Sequence, residues 1–228
     1  MLYRNKDLKG RSINAIDGEV GSVTDVYFDD RQWTVRYLVV ETGTWLSSRE
    51  VLIAPAALAS EQWPEGPVLA RVSRKQVEDS PGVDTHQPVS RQYEIAYAKY
   101  YGYQGYWMGA ELDGMALAPV PTVAALEPMA LDVPRPGADS HLRSCNAVTG
   151  YTMQARDGDI GHAEDFLIDP ATWRIACLVV NTGTWLPGRH VQIEPAAIRE
   201  VDWKERKVHL ALTREDVERA PSAPGRAG

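Results

Sequence analysis

Leu38-Val39-Val40-Glu41-Thr42-Gly43-Thr44-Trp45-Leu46 returns 140 residues later as Leu178-Val179-Val180-Asn181-Thr182-Gly183-Thr184-Trp185-Leu186. Outward from this pair, Asp17-Gly18 aligns with Asp157-Gly158, Trp33 with Trp173, Pro55-Ala56-Ala57 with Pro195-Ala196-Ala197, Trp63 with Trp203 and Pro81 with Pro221, without an insertion or deletion. About 29 of the 72 aligned positions in Gly10–Pro81 and Gly150–Pro221 are identical. Self-similarity at a fixed spacing decides the architecture before any local signal does. A repeat of this length is too long for a solenoid unit and suits a small self-contained domain, so the 228 residues read as two copies of one module.

Both copies read as β. Asp-Gly between extended runs is a hairpin signal, because glycine takes positive φ without a Cβ clash and aspartate tolerates it. Between Val20 and Asp29 the shared apolar positions are 20, 23, 26 and 28, a phase that slips mid-strand and predicts a β-bulge near Thr24–Asp25. In the next strand, Thr34–Thr42, alternation assigns Val35, Tyr37 and Val39 to a barrel interior, matched by Ile175, Cys177 and Val179. Leu38 and Val40 then occupy the opposite face, which a helix or the sister module must cover. Val51 and Ile53 alternate with Leu52, and Val68, Ala70 and Val72 match Val208, Leu210 and Leu212, the pattern of strands with one wet face. Ser73-Arg74-Lys75-Gln76 and Thr213-Arg214-Glu215-Asp216 carry the capping-box pattern of a short helix, which Pro81 and Pro221 stop.

Between the copies, Pro88–Trp107 is rich in tyrosine, with Ser90 as an N-cap and Gly102 as a C-terminal stop. Tyr93, Ala96, Tyr97, Tyr100 and Tyr101 fall on one helical face. Ala118–Gly137, rich in Pro and Ala, reads as linker. The expected divisions are a first module at 1–84, a connector at 85–146 with a helix at about 90–101, a second module at 147–223 and a flexible tail at 224–228.

Composition narrows the function. A formal net charge of −7 with no large Lys/Arg cluster lacks the counterion-releasing surface that nucleic-acid binding requires. No run of about 18 apolar residues predicts a membrane span, and charges interrupt the first residues where a signal peptide would be apolar, so a cytoplasmic location is expected. Cys177 sits in an apolar run and reads as a small buried hydrophobe, and Cys145 lies in polar sequence; neither a disulfide framework nor a zinc site is indicated.

Quoted in order, Gly21-x-Val23-x-Asp25-x-x-x-Asp29, Tyr37-Leu38-Val39-Val40 and Trp45-Leu46-x-x-Arg49-x-Val51-Leu52-Ile53-x-Pro55 resemble the PRC-barrel family. Gly161-x-Ala163-x-Asp165-x-x-x-Asp169, Leu178-Val179-Val180, Trp185-Leu186-Pro187-Gly188-Arg189 and Ile193-x-Pro195 repeat the resemblance. The family takes its name from the cytoplasmic domain of the photosynthetic reaction-centre H subunit and is found also at the C-terminal end of the ribosome-maturation factor RimM. The tyrosine-rich segment resembles the linker of tandem members. The resemblance implies a mainly β chain of two small PRC-barrel-like β-barrels in tandem, each closed by a short helix and joined by a helical, tyrosine-rich connector. It implies assembly and docking roles rather than an activity.

The repeated carboxylates Asp17, Asp25, Asp29 and Asp157, Asp165, Asp169 could serve metal or acid–base chemistry; turn and bulge chemistry is the plainer account, since no histidine is repeated beside them. With no nucleophile or phosphate-loop motif, no enzyme activity, cofactor or metal is expected. Trp45, Arg49, Trp185 and Arg189 are residue types that dominate interaction hot spots, or else each Trp lids its own barrel and each Arg pairs with a nearby Asp. Tyr93, Tyr97, Tyr100, Tyr101, Tyr103, Tyr106 and Trp107 offer a surface suited to a protein partner or to self-association, or else cover the chain's own barrels. The expected function is a cytoplasmic protein-interaction or scaffold protein; the alternative is a soluble accessory or ligand-binding protein, like the reaction-centre H subunit, linked to photosynthetic electron transfer.

Overall fold

The computed structural model describes residues 2–59, 66–81, 91–103 and 141–223. The first copy runs β1 (Tyr3–Arg4), α1 (Asn5–Leu8), β2 (Ser12–Ala15), β3 (Gly18–Asp29), β4 (Thr34–Glu41), β5 (Glu50–Ile53), β6 (Val68–Leu69) and α2 (Arg74–Glu78). After α3 (Arg91–Tyr101) come β7 (Leu142–Ser144), α4 (Cys145–Val148), β8 (Thr152–Ala155), β9 (Gly158–Ile168) and β10 (Ile175–Asn181). The chain continues through β11 (His190–Ile193), β12 (Ile198–Asp202), β13 (Lys207–Leu210) and α5 (Arg214–Glu218).

The strands form two mixed sheets, ordered β5-β4-β3-β2-β6 and β11-β10-β9-β8-β13-β12. Of the described residues, only β2–β6 and β8–β13 pair in parallel. Among the described residues these ladders end at their outer strands, so the hydrogen bonds show two mainly antiparallel open sheets where tandem closed barrels were expected. In the long strands β3 and β9, Gly21 and Gly161 have φ of +155° and +127°. A Cβ at either glycine would lie 1.9 or 2.0 Å from the carbonyl oxygen of Glu41 or Asn181, so the neighbouring strand approaches as closely as only glycine permits.

Each sheet is completed by the other half of the chain. β7 pairs with β3 through Tyr27↔Ser144 and Phe28↔Arg143, and β1 pairs with β9 through Arg4↔Leu167 and Tyr3↔Ile168. These registers are related by the same offset of 140, so the repeat extends to an exchange of arms about a pseudo-twofold axis. On that axis Thr34 bridges Arg174. Beside it the Val35 amide donates to the Trp173 carbonyl at 2.8 Å and the Ile175 amide to the Trp33 carbonyl at 2.7 Å. Leu8, Val148 and Cys145 enter one continuous apolar core with residues of both sheets, where the Phe28 and Phe166 rings lie 5.6 Å apart. Burying such side chains stabilises by roughly 1.5–3 kcal/mol each, so the halves are packed as one body.

The bulge expected near Thr24–Asp25 is present: the β3–β4 register slips between Val23 and Asp25. A second slip, between Tyr27 and Phe28, carries the register from Tyr37 to Val35 past Arg36 and corrects the assignment of faces on β4. Val35 faces the main core as expected, but the extra residue inverts parity beyond it. Leu38 and Val40 point into the core, and Tyr37 and Val39 point outward. The second copy repeats the inversion, with Leu178 and Val180 inside and Cys177 and Val179 outside. Both expected helix caps form, Ser73 with Gln76 and Thr213 with Asp216.

Candidate interaction surface

The repeated polar side chains are held by contacts inside the chain. Asp17 and Asp157 accept the backbone N–H of Arg74 and Arg214, the first residues of α2 and α5. Asp29 closes its turn by accepting from Arg31 and Gln32, and Asp169 does so from Ala171 and Thr172. Asp25 and Asp165 do something that turn chemistry does not cover: each receives the first turn of the other half's arm helix. Asn146 N–H donates to Asp25 Oδ1 at 3.1 Å, and Lys6 N–H, its counterpart, to Asp165 Oδ1 at 3.2 Å. Burial pushes both carboxyls above their usual range, against the lowering effect of these hydrogen bonds. The clasps differ in one partner: Ser144 Oγ donates to Asp25 Oδ2, whereas Arg4 stands 3.7 Å from Asp165 Oδ2.

Trp45 and Arg49 fasten their own module. Trp45 Nε1 donates to the Val20 carbonyl at 2.6 Å beneath the Arg74 guanidinium, 4.1 Å from the ring centroid. Arg49 donates to the backbone carbonyls of Glu78, the last residue of α2, and of Ser80 just after it. In the second copy Arg214 lies over Trp185 at 5.2 Å and Arg189 donates to the Ala220 carbonyl. The acceptors are carbonyls at a helix end, not aspartates.

The tyrosine helix packs on the outer face of the first sheet. Tyr97 is buried among Tyr27, Tyr37, Val39, Leu52, Ala54 and Leu142, with Tyr93, Tyr101 and Tyr103 against the cluster. Its hydroxyl donates to the Leu52 carbonyl at 3.0 Å and accepts the Ala54 N–H at 3.1 Å, satisfying two backbone groups at the free edge of β5. Burial raises the Tyr97 phenol well above its usual range and that of Tyr101 to about 12. α3 ends at Gly102, φ +68°, with Tyr103 N–H bonded to the Ala98 carbonyl, the glycine-terminated closure foreseen at that residue. Its inner face is centred on Glu94, Tyr97 and Ala98. Ala96 is exposed and Tyr100 is at the rim, 40% exposed with its hydroxyl donated to the Gln76 carbonyl, so the inward face is rotated from the expected stripe. Tyr106, Trp107 and the Ser90 cap lie outside the described residues.

The equivalent face of the second sheet is small and more polar. Leu167, Cys177 and Val179 stand where Tyr27, Tyr37 and Val39 do, Gln192 replaces Leu52 and Glu194 replaces Ala54. Its described cover is the segment after α5: Ser222 bridges Val191, and Ala223 packs on the apolar trio. No helix among the described residues is long and apolar enough to cross a membrane. Comparison with protein families matches residues 1–59 to the PRC-barrel domain. No curated protein matches the chain.

Proposed function

Because the chain carries a PRC-barrel domain, and its second half repeats that domain in sequence and strand order, we propose that it is a non-enzymatic docking protein built on two such modules locked as an internal pseudodimer. The observation that carries this reading is where the halves agree and where they diverge. Residues that hold the frame are the same in both: Asp25 and Asp165, Trp45 and Trp185, Arg49 and Arg189. Residues of the outer faces are not: Tyr27, Tyr37, Leu52 and Ala54 against Leu167, Cys177, Gln192 and Glu194. A fixed frame with differing faces suits recognition of partners, and interaction energy concentrates in a few well-placed side chains on such faces. The partner is a protein, met in the cytoplasm.

Affinity capture with the intact chain, followed by calorimetry against the purified captured protein, tests this reading. The expected result is saturable binding of fixed stoichiometry to one protein. Tight co-purification with a quinone or metal, or a chain that binds no protein but turns over a substrate, would overturn it.

A further inference from the structure

We propose that the outer edge of β11 is a docking site for an extended peptide of a partner protein, held closed in this chain by its own residues Pro221–Ala223. The proposal rests on the docking reading above and gives it a location. β11 ends its sheet, and an edge strand presents N–H and C=O groups that template another strand. The segment after α5 already uses them. Gln192 N–H donates to the Pro221 carbonyl at 2.9 Å, Ala223 N–H donates to the His190 carbonyl at 2.8 Å, and Gln192 Nε2 donates to the Ser222 carbonyl at 2.8 Å. The pairing is antiparallel, with Ser222 opposite Val191.

This occupant is a poor strand. Residues facing each other in a hydrogen-bonded antiparallel pair exchange two bonds, but Gln192 faces a proline, which has no N–H to return. An ordinary residue at that place would add a bond to the Gln192 carbonyl. Among the described residues, the floor beside the edge, Leu167, Cys177 and Val179, receives only the side chain of Ala223 and the partly buried Ala176. The first module shows the contrast: Pro81 is the counterpart of Pro221, but its carbonyl accepts the Tyr93 hydroxyl, and the Tyr97 hydroxyl seals the β5 edge from the overlying helix α3. Among the described residues, of the two equivalent edges only the second is held by three residues of backbone. The occupant it fits better is an extended segment antiparallel to β11, with a residue other than proline opposite Gln192 and a small apolar side chain in the place of Ala223.

The test uses the full chain, its Ala223→Pro variant, which removes the donor to His190, and its Pro221→Val variant, which supplies the missing donor. The probe is a fluorescently labelled peptide of residues 219–227 carrying Pro221→Val. It should bind the Ala223→Pro chain roughly tenfold or more tighter than the unmodified chain, because a tethered segment competes at high effective concentration. The same peptide with proline restored should bind roughly fivefold more weakly, the difference made by one net hydrogen bond. In the Pro221→Val chain, amide exchange at Gln192 and Ala223 should slow, a readout that survives even if Ala223→Pro fails to fold. Unchanged exchange there, or an Ala223→Pro chain with native circular dichroism that binds the peptide no better than the unmodified chain, would overturn the proposal. Self-association of that variant in place of peptide binding would assign the edge to a second copy and overturn it equally. None of these readouts depends on partner capture, so either reading can fail alone.

Discussion

The outer face of the first sheet and that of the second begin from the same backbone and end under different covers. Over the first lies an eleven-residue helix whose Tyr97 fills an aromatic pocket and ties off the β5 edge with one hydroxyl. Over the second lie Pro221, Ser222 and Ala223, paired with β11 as a strand. Between the sheets, at the arms and at the close-approach glycines, the halves share the same backbone pairing. A duplicated module therefore keeps its interlock, where each change would have to satisfy both halves, and diverges where each sheet faces outward alone. Substitutions in the shared frame should have paired effects, and substitutions under the covers should not.

The largest effect is expected at these glycines. Gly21→Ala and Gly161→Ala each drive a methyl group into a backbone carbonyl at positive φ, and each should cost more than about 4 kcal/mol or prevent native folding. Chemical denaturation of both variants checks this, and a large difference between them would break the claim that the frame is shared. Next, Tyr97→Ala should cost about 3–5 kcal/mol, the range for losing a buried aromatic side chain. The opposite cover should respond weakly: Ala223→Gly should cost less than about 1 kcal/mol. Equal effects at these two sites would erase the asymmetry. Tyr97→Phe isolates the hydroxyl, and leaving the Leu52 carbonyl and Ala54 N–H without it should cost about 1–3 kcal/mol in the same denaturation experiment.

The smallest effect concerns the clasp. Burial raises the Asp25 and Asp165 carboxyls in the folded chain, so the folded state binds these protons more tightly than the unfolded state. Their contribution is then most favourable below the ordinary carboxyl value of 3.8 and is lost as pH rises through the raised folded value. Asp25→Asn keeps an oxygen for Asn146 and removes the charge. It should flatten this part of the pH profile, with the gain over the unmodified chain greatest near neutrality and absent in acid. A gain that grew toward low pH in melts across the range would mean that the hydrogen bonds, and not burial, dominate.

Much of this was legible in the sequence, because local chemistry and repetition agreed. The bulge at Thr24 showed as a slip of phase, the capping boxes as spaced side chains and the helix stop as Gly102. The arms were invisible: Tyr3–Leu8 and Arg143–Val148 share no identical residue at the common offset, since a short strand and one helical turn are specified by backbone pairing and a buried apolar residue at Leu8 and Val148. The faces of β4 were misassigned because Arg36 gives no sign of being the extra residue; alternation counts residues, and one uncounted residue inverts all that follow. The inner face of α3 was misread for a related reason: Glu94 is buried, and a charged residue is not expected to mark a covered face. Turn chemistry is the plain sequence reading of the repeated aspartates, and for Asp25 and Asp165 the signal that corrects it, a helix start in the other half, lies far away in sequence.

The exchanged arms also set a timetable for synthesis. The ribosome delivers everything from β2 to α2 long before it delivers β7, and at about 5–20 residues per second the interval lasts on the order of seconds. Throughout it, the stretch Tyr27–Asp29 can pair with β4 but has no β7 on its other side, and Asp25 has no helix to receive. The nascent first half is then a half-made sheet with an open apolar flank, in need of shelter by a chaperone or by the ribosome surface until its own second half emerges to close it.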